Sequence, residues 1–292
     1  MTQAPFADRL AAAVSARESQ ICLGLDPDPS EISGPSGPGS ARDQAAAAVA
    51  SWGRQLIDTA GAACVAVKPQ LARYEALGAP GWAALEQTVA AAKEAGLVVI
   101  ADGKRGDVPG TATAYASGLM GETETAWGPV PGLGVDAATV NPLLGADALE
   151  PFVAQAERSG AGLFALVRTS NPGAADLFDL QAPAGPLHER IALLVAERST
   201  RLLGKTGVSG MGAVVGATEP RFLGRLRELM PEAAFLLPGV GAQGGAVAEL
   251  SAAAGPHPAA TLIAASRSLA GAADPRAAAE RLREQAWSAL GG

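Results

Sequence analysis

Lysine, histidine, cysteine and aromatic residues are all scarce in this chain of 292 residues. Only four of the 22 basic residues are lysines, two residues are histidines, two are cysteines, and 4% are aromatic. His188 and His257, both expected at the surface or in loops, cannot supply a histidine-rich metal site, and they disfavour a Ser-His-Asp triad. Cys22 and Cys64 stand far apart within apolar runs, which predicts buried free thiols in a reducing cytoplasm.

Positive charge and uninterrupted apolar runs are limited as well. The formal net charge of −7 leaves the chain without the basic surface of a general nucleic-acid binder. Apolar stretches near membrane-span length are interrupted, for instance at Pro238, Gly244 and Pro256, so no transmembrane helix is expected. The first residues, with Asp8 and Arg9, lack the basic-then-apolar order of a signal peptide. These absences predict a cytoplasmic protein that binds neither nucleic-acid polymers nor membranes.

Short apolar runs alternate with helix-like segments along the whole chain. The runs are nearly continuous in apolar character, as expected for strands that are buried on both faces. Strands are predicted near residues 20–25, 63–68, 97–102, 136–141, 162–168, 212–216, 234–238 and 261–265. Helices are predicted near residues 44–60, 80–95, 110–120, 146–158, 186–203, 219–230, 243–254 and 274–289. Eight strand–helix units in succession predict an α/β protein with one domain over residues 1–292, a (β/α)8 TIM barrel.

Three connections are longer than such a barrel needs. Residues 27–43 and 121–135 are rich in proline, glycine and serine, and residues 171–187 form a long connection after the fifth predicted strand. Long connections inside a compact domain are commonly lids, binding loops or mobile insertions. We therefore expect these segments to be inserted loops of one barrel rather than linkers between domains.

Polar side chains stand at the carboxyl ends of the predicted strands, where the active site of such a barrel lies. The first strand ends at Asp26, the second at Lys68, and the third at Asp102, with Lys104 and Asp107 close behind. A lysine held between carboxylates stays protonated, which makes it a poor Schiff-base nucleophile and a good positioned proton donor. A surface ion-pair cluster is the alternative for this segment, and Lys68 on the neighbouring strand favours a functional site.

Glycines and one arginine follow the last two predicted strands. Gly239, Gly241 and Gly244 spell G-x-G-x-x-G, but the motif follows the seventh strand, and no acidic residue stands at a strand end about 20 positions beyond it. A dinucleotide fingerprint is therefore rejected. Loops after strands seven and eight of (β/α)8 barrels commonly bind phosphate, and Arg267 offers a planar fork that suits a phosphate monoester. A phosphate site is favoured over a glycine turn beside a surface arginine.

Seven motifs follow one another at the predicted strand ends. They are L-G-L-D (23–26), V-K-P (67–69), D-G-K-R-G-D-V-P-G-T (102–111), T-V-N-P-L-L-G (139–145), T-S-N-P-G (169–173), P-G-V-G-A-Q-G-G (238–245) and S-R-S-L (266–269). Together they resemble the orotidine 5′-phosphate decarboxylase family, most closely its longer (type 2) form from mycobacteria and related bacteria. The resemblance covers nearly the whole chain. It implies cofactor-free decarboxylation of orotidine 5′-phosphate to UMP and CO2, the last step of de novo UMP synthesis.

The resemblance also implies a role for each charged residue at the first strand ends. Asp26 and Lys68 would hold ribose hydroxyls and join the charged network. Asp102 would lie beside the departing carboxylate, and Lys104 would donate a proton to C6 of the pyrimidine. No metal would take part in these steps.

Further implied residues complete the substrate site from the loops and from a second subunit. Asp107, with Thr111, would come from the partner subunit, so the active site would depend on a homodimer. Ser170 would contact the pyrimidine, and Pro238 would lie in its loop. The phosphate would be held by residues that follow the last two strands, namely Gln243, the Ser266 backbone and Arg267.

Two alternative functions remain open at this point. Sugar-phosphate decarboxylases and aldol-type enzymes of the same superfamily share the D-x-K-x-x-D pattern but use Mg²⁺, with a glutamate where this chain has Lys68. A lysine at that place repels a cation, which argues against them. The other alternative is a non-catalytic protein that binds a phosphate ligand on a barrel scaffold.

Overall fold

The computed structural model describes residues 4–32, 39–183, 185–240 and 247–290. Eight parallel strands close a barrel in which each strand pairs with the next in sequence and the last pairs with the first. They are β1 (Ile21–Leu25), β2 (Ala66–Pro69), β3 (Val98–Arg105), β4 (Ala137–Val140), β5 (Gly162–Arg168), β6 (Ser209–Val215), β7 (Ala233–Pro238) and β8 (Thr261–Ala265). Each overlaps a predicted strand, and the predicted (β/α)8 class is confirmed.

The α-helices of the described residues surround the barrel and close one end of it. They are α1 (Phe6–Arg17), α2 (Ala41–Ala60), α3 (Leu71–Glu75), α4 (Gly78–Glu94), α5 (Pro109–Met120), α6 (Ala146–Ser159), α7 (Ala174–Phe178), α8 (Leu187–Ser199), α9 (Leu223–Leu229), α10 (Arg267–Ala270) and α11 (Pro275–Leu290). Local capping sets two of the starts: Ser40 and Asp43 form a capping box at α2, and Asp274 accepts a hydrogen bond from the Ala277 amide ahead of α11. No helix within these ranges is long and apolar enough to cross a membrane.

The predicted helix over 243–254 is wrong where the structure describes it. Residues 247–249 and 251–253 form two separate 3-10 turns instead, and residues 243–246 lie outside the described ranges. The Ala253 carbonyl accepts hydrogen bonds from the Arg227 guanidinium (2.8 Å from Nη2) and from Thr261 Oγ1 (2.8 Å). These tertiary hydrogen bonds use a carbonyl that a continuing helix would need for its own hydrogen bonds. They override the helix preference of the alanine-rich segment.

Alternate strand residues face two apolar environments, which explains the continuous apolar runs. Val67 and Val99 belong to the core between the strands and the outer helices, whereas Ala66 and Ile100 belong to a second cluster inside the barrel. Lys68 and Asp102 stand two residues after Ala66 and Ile100, so the pleat directs both charged side chains toward the barrel interior, at its carboxyl end. Cys22 and Cys64 are buried and free, as expected.

Helix α1, which the sequence patterns did not reveal, closes the amino-terminal end of the barrel. Phe6, Leu10 and Val14 are at most 1% exposed and pack into the interior cluster. The Phe6 ring meets the Phe164 ring edge to face, with centroids 6.0 Å apart. Gly162 passes so close to Phe6 that a Cβ there would overlap its ring. Each large apolar side chain buried here contributes about 1.5–3 kcal/mol to folding.

Two of the three long connections contain small structures of their own. Residues 121–135 hold a two-stranded antiparallel ladder, and residues 171–187 hold α7 and a second such ladder. In the connection 27–43, residues 33–38 lie outside the described ranges, and Ser40 begins the cap of α2. His188, expected at the surface or in a loop, is instead buried at the start of α8. Its Nδ1 lies 2.7 Å from the Phe178 carbonyl oxygen, a long-range contact that local sequence does not reveal.

Candidate active site

Asp102 lies at the centre of a charged cluster at the carboxyl ends of the first barrel strands. Its Oδ2 accepts a hydrogen bond from Lys68 Nζ at 2.5 Å, and its Oδ1 accepts one from Lys104 Nζ at 2.7 Å. The Lys68 and Asp102 side chains are 9% and 7% exposed, whereas that of Lys104 is 43% exposed. The structure therefore brings three predicted catalytic residues together, and it leaves one of the two ammonium groups accessible to a ligand.

Two uncharged side chains complete the hydrogen bonds of the Asp102 carboxylate. Gln70 Nε2 donates to Oδ2 at 3.1 Å, and Thr139 Oγ1 donates to Oδ1 at 2.9 Å. The same Thr139 oxygen accepts a hydrogen bond from the Lys104 backbone amide at 2.9 Å. With two partners on each oxygen, the carboxylate is held in one orientation between the two lysines.

The backbone at Lys104 is in an unusual conformation that aims its side chain. The φ angle of Lys104 is +48°, in the left-handed region that costs a non-glycine residue of the order of 1–3 kcal/mol. The pairing of β3 with β4 shifts register between Ala101 and Arg105, as in a bulge, so the alternation of a regular strand does not continue to Lys104. Lys104 therefore reaches Asp102 at a bulge and not through the regular pleat of β3.

The charges of the cluster keep both buried partners ionised. Burial by itself lowers the pKa of Lys68, but the carboxylates of Asp102 and Asp26 outweigh it and raise that pKa. Burial by itself raises the pKa of Asp102, but Lys68 and Lys104 outweigh it and lower that pKa to about 2. At neutral pH the site therefore holds ammonium groups around a permanent carboxylate.

Asp26 follows β1 and carries a buried oxygen without a partner. Within the described residues, no hydrogen-bond donor reaches its Oδ1. A buried acceptor left without a donor costs roughly 1–3 kcal/mol, so a ligand hydroxyl at this place would gain a strong hydrogen bond. The negative charge of Asp26 contributes to raising the pKa of Lys68.

The carboxyl ends of β7 and β8 lie beside that of β1, because β7 pairs with β8 and β8 pairs with β1. Pro238 ends β7, and Gly239 after it has a φ of +100°, a conformation that favours glycine. Ser266 precedes α10 and packs against Gly24 of β1, where an added Cβ would lie 2.7 Å from Ser266 Cβ. Arg267 is exposed, and its guanidinium makes no hydrogen bond or ion pair with the part of the chain that the structure describes. The predicted Gln243 lies outside the described residues.

A family model with the description "Orotidine 5'-phosphate decarboxylase / HUMPS family" matches residues 19–282. The chain belongs to this family. A Rhodopirellula baltica protein named orotidine 5'-phosphate decarboxylase is 41% identical over 265 residues, which cover 90% of this chain and 87% of that protein. A Deinococcus radiodurans protein of the same name is 40% identical over 297 residues, which cover 98% of both. The family resemblance that the motifs indicated is confirmed.

A solved structure shows the same fold over the whole chain. The Leishmania donovani OMP decarboxylase structure is 34% identical, covers 100% of both chains and superposes with a TM-score of 0.77. The family shares its barrel with this chain, and the charged cluster lies at the barrel end where enzymes of this architecture react their substrates.

Two predicted residues of the family pattern, Asp107 and Thr111, stand apart from the charged cluster. Asp107 Oδ1 accepts a hydrogen bond from the Val108 amide at 2.7 Å, just before α5 begins. No ion pair joins Asp107 to a cation of the described residues, and Thr111 is exposed. Their assignment to the site of a partner subunit stays a prediction.

Sequence patterns missed the two neutral residues that hold Asp102. Gln70 directly follows the V-K-P motif, and Thr139 opens the T-V-N-P-L-L-G motif at the end of β4. Their positions beside motif residues were the available signal. Nothing local showed their contact with Asp102, because Gln70 and Thr139 lie 32 and 37 residues from it in sequence.

Proposed function

We propose that this chain catalyses the decarboxylation of orotidine 5′-phosphate to UMP and CO2, the last step of de novo UMP synthesis. One observation carries the proposal. In a member of this family, two lysines flank a buried carboxylate that is ionised at neutral pH, and the more exposed lysine can reach a bound ligand. This arrangement suits a reaction in which negative charge develops on a carbon atom.

Lys104 supplies the catalytic cation in this reaction. The bond between C6 and the carboxylate breaks, CO2 leaves, and the electron pair stays on C6. The Lys104 ammonium stabilises that developing charge more than it stabilises the substrate, and its proton then moves to C6 to give UMP. The hydrogen bond to Asp102 holds the ammonium in place before the reaction begins.

Asp102 acts in this scheme as a permanent negative charge. Because its pKa is about 2, it remains ionised beside the substrate carboxylate that is lost. Its charge repels the substrate carboxylate more than the neutral CO2 product. Lys68, on the other oxygen, partly offsets the cost of burying this charge.

The ribose and the phosphate provide binding energy away from the reacting carbon. The Oδ1 of Asp26, which has no hydrogen-bond donor among the described residues, accepts a hydrogen bond from a ribose hydroxyl. Arg267, with the Ser266 backbone and Gln243, holds the phosphate, while Ser170 contacts the pyrimidine and Pro238 lies in its loop. Binding energy at the phosphate positions the base over Lys104.

A homodimer completes the site in this proposal. Asp107 and Thr111 reach the active site of the partner subunit, which accords with Asp107 having no ion pair to the described residues of its own subunit. Exposed apolar side chains near this segment provide area for a contact between subunits: Val108, Tyr115, Leu143 and Leu144. We further propose that the enzyme is cytoplasmic and acts without metal or organic cofactor.

The sugar-phosphate enzymes of the family are the second candidate function. Such enzymes would need a divalent cation beside the Asp102 carboxylate. The Lys68 ammonium already occupies that side, 2.5 Å from Oδ2, and repels a second cation. The curated relatives that are about 40% identical to this chain are named orotidine 5'-phosphate decarboxylases, which also favours decarboxylation.

Turnover of orotidine 5′-phosphate tests the proposal directly. The purified dimer is mixed with the substrate while loss of its absorbance is followed, with and without EDTA. We expect turnover that EDTA leaves unchanged. No turnover by a folded dimer would refute the assignment, and inhibition by EDTA would favour the metal-dependent alternative. A non-catalytic binding protein would bind UMP without consuming the substrate.

A further inference from the structure

Arg168, the last residue of β5, is buried and forms an ion pair with the partly exposed Asp179 that neither the motifs nor the proposed reaction uses. Arg168 is 4% exposed, and its Nε and Nη2 donate to the two carboxylate oxygens of Asp179 at 3.0 and 3.1 Å. These hydrogen bonds lower the pKa of Asp179, so the pair is ionised at neutral pH. Paired, parallel hydrogen bonds between guanidinium and carboxylate are strong and fix the relative orientation of both groups.

The pair joins three points of the connection between β5 and α8. Arg168 is where the connection leaves the barrel, Asp179 lies in its middle, and His188 lies where α8 begins. His188 Nδ1 is 2.7 Å from the Phe178 carbonyl oxygen and 3.4 Å from Asp179 Oδ1. The Phe222 ring, from the connection after β6, packs against the Arg168 guanidinium at 4.8 Å and against His188 at 5.0 Å. Two neighbouring connections are thus fastened at one place.

Ser170 lies within the segment that this pair holds. Arg168 Nη1 donates to the Thr169 carbonyl at 2.7 Å, and Thr218 Oγ1 donates to the Ser170 carbonyl at 3.3 Å. Gly216 packs directly on this turn, since a Cβ there would lie 2.8 Å from Ser170 Cα. The backbone of Ser170 is therefore set by the end of β6 on one side and by Arg168 on the other.

We propose that Arg168 and Asp179 are positioning residues that hold the β5 connection so that Ser170 meets the base of a bound nucleotide. The inference rests on the proposed function, because that function places Ser170 at the pyrimidine. The fastened Asp179 holds residues 169–178, including α7, in place before the base binds. A segment that is already held loses less conformational entropy on binding, so the base is bound more tightly.

The test compares two ligands and two matched variants. Asp179→Asn removes the charge and keeps the shape of the side chain. Asp176→Asn makes the same change three residues away, at an exposed position without an ion pair in the described residues. Calorimetry measures the Kd of each protein for UMP and for ribose 5-phosphate, which lacks the base. We expect Asp179→Asn to weaken UMP binding about tenfold while its ribose 5-phosphate Kd stays within about twofold, and Asp176→Asn to change neither.

Three results would overturn the inference. The first is a Kd for UMP in Asp179→Asn that equals the wild-type value. The second is an equal weakening of UMP and ribose 5-phosphate binding in Asp179→Asn. The third is the same loss of UMP affinity in Asp176→Asn. Arg168→Lys provides a second variant, because it keeps the positive charge but loses the forked guanidinium. Its Kd for UMP should lie between those of the wild type and Asp179→Asn. Equality with the wild type would contradict a fork-shaped anchor. If the wild type does not turn over orotidine 5′-phosphate but Asp179→Asn still weakens only UMP binding, the proposed function is refuted. The positioning role of Arg168 and Asp179 is then still supported.

Discussion

The two ends of the barrel are built from the same strands but filled with opposite chemistry. At the amino-terminal end, Phe6 and Leu10 of α1 seal an apolar interior. At the carboxyl end, Lys68, Asp102 and Lys104 form a charged cluster in which only the Lys104 side chain is substantially exposed. The comparison teaches that one end stabilises the fold while the other holds charges that are costly to bury and useful in catalysis.

The largest expected effect is at the charged end. Lys104→Ala removes the proposed proton donor and the cation proposed to lie next to C6, so kcat should fall by at least about 10³-fold. The Kd for UMP should change by only a few fold, because the phosphate and ribose contacts remain. Lys93, in the last turn of α4 ahead of β3, donates from Nζ to the Gly134 carbonyl and provides the matched control. Lys93→Ala should keep wild-type kcat, and an active Lys104→Ala would remove the catalytic basis of the comparison.

The apolar end should show the reverse pattern. Phe6→Ala leaves a cavity against Phe164 and Gly162, so the free energy of unfolding should fall by about 3–5 kcal/mol. Urea denaturation measures this loss, and kcat is measured well below the melting temperature, where it should remain near the wild-type value. A large loss of kcat in folded Phe6→Ala would show that the two ends are coupled.

The free energy of unfolding at acidic pH tests the charged end without removing a lysine. The pKa of Asp102 falls from 3.8 to about 2 on folding, so its ion pairs contribute about 2 kcal/mol at pH values above about 4. This contribution is lost as the pH falls from about 4 toward 2, because the carboxylate then takes up a proton. Urea denaturation between pH 2 and 5 should show this slope in the wild type and a flatter one in Asp102→Asn. Equal slopes would contradict the lowered pKa.

The smallest expected effect is at the rim of the charged end. Arg267→Ala removes the proposed phosphate contact of an exposed side chain, so kcat/KM should fall about tenfold, with a higher KM and a lower kcat. Arg276, exposed near the start of α11, offers the same substitution without a proposed ligand contact. Unchanged KM and kcat in Arg267→Ala, or an equal loss in Arg276→Ala, would argue against the phosphate role.

Much of the barrel could be predicted because its strands are short apolar runs with charged residues at their carboxyl ends. The run 162–168 is β5 with the predicted bounds, and the run 97–102 became β3 at Val98–Arg105. The segment 243–254 could not be predicted correctly, because Arg227 and Thr261 capture the Ala253 carbonyl from outside the segment. Local preference decides only where no tertiary partner competes for the same backbone groups.

The candidate site shows the same division between local and long-range information. Lys68, Asp102 and Lys104 could be selected from their places after apolar runs. Gln70 and Thr139 could not be selected in this way. Each is distinguished only by a hydrogen bond to Asp102 of the neighbouring strand β3. The neutral partners of a site are ordinary residue types, and only their positions in space identify them.

By itself, the sequence determined the alternation of strands and helices, the family and the identity of the charged residues. Those features depend on residue order and on side-chain chemistry, which are local. The tertiary structure alone decided that α1 seals one end, that a bulge turns Lys104 onto Asp102, and that Arg168 reaches Asp179 and His188. Each of these outcomes depends on packing and hydrogen bonding between separate segments, whose free energies are settled only when the whole barrel closes.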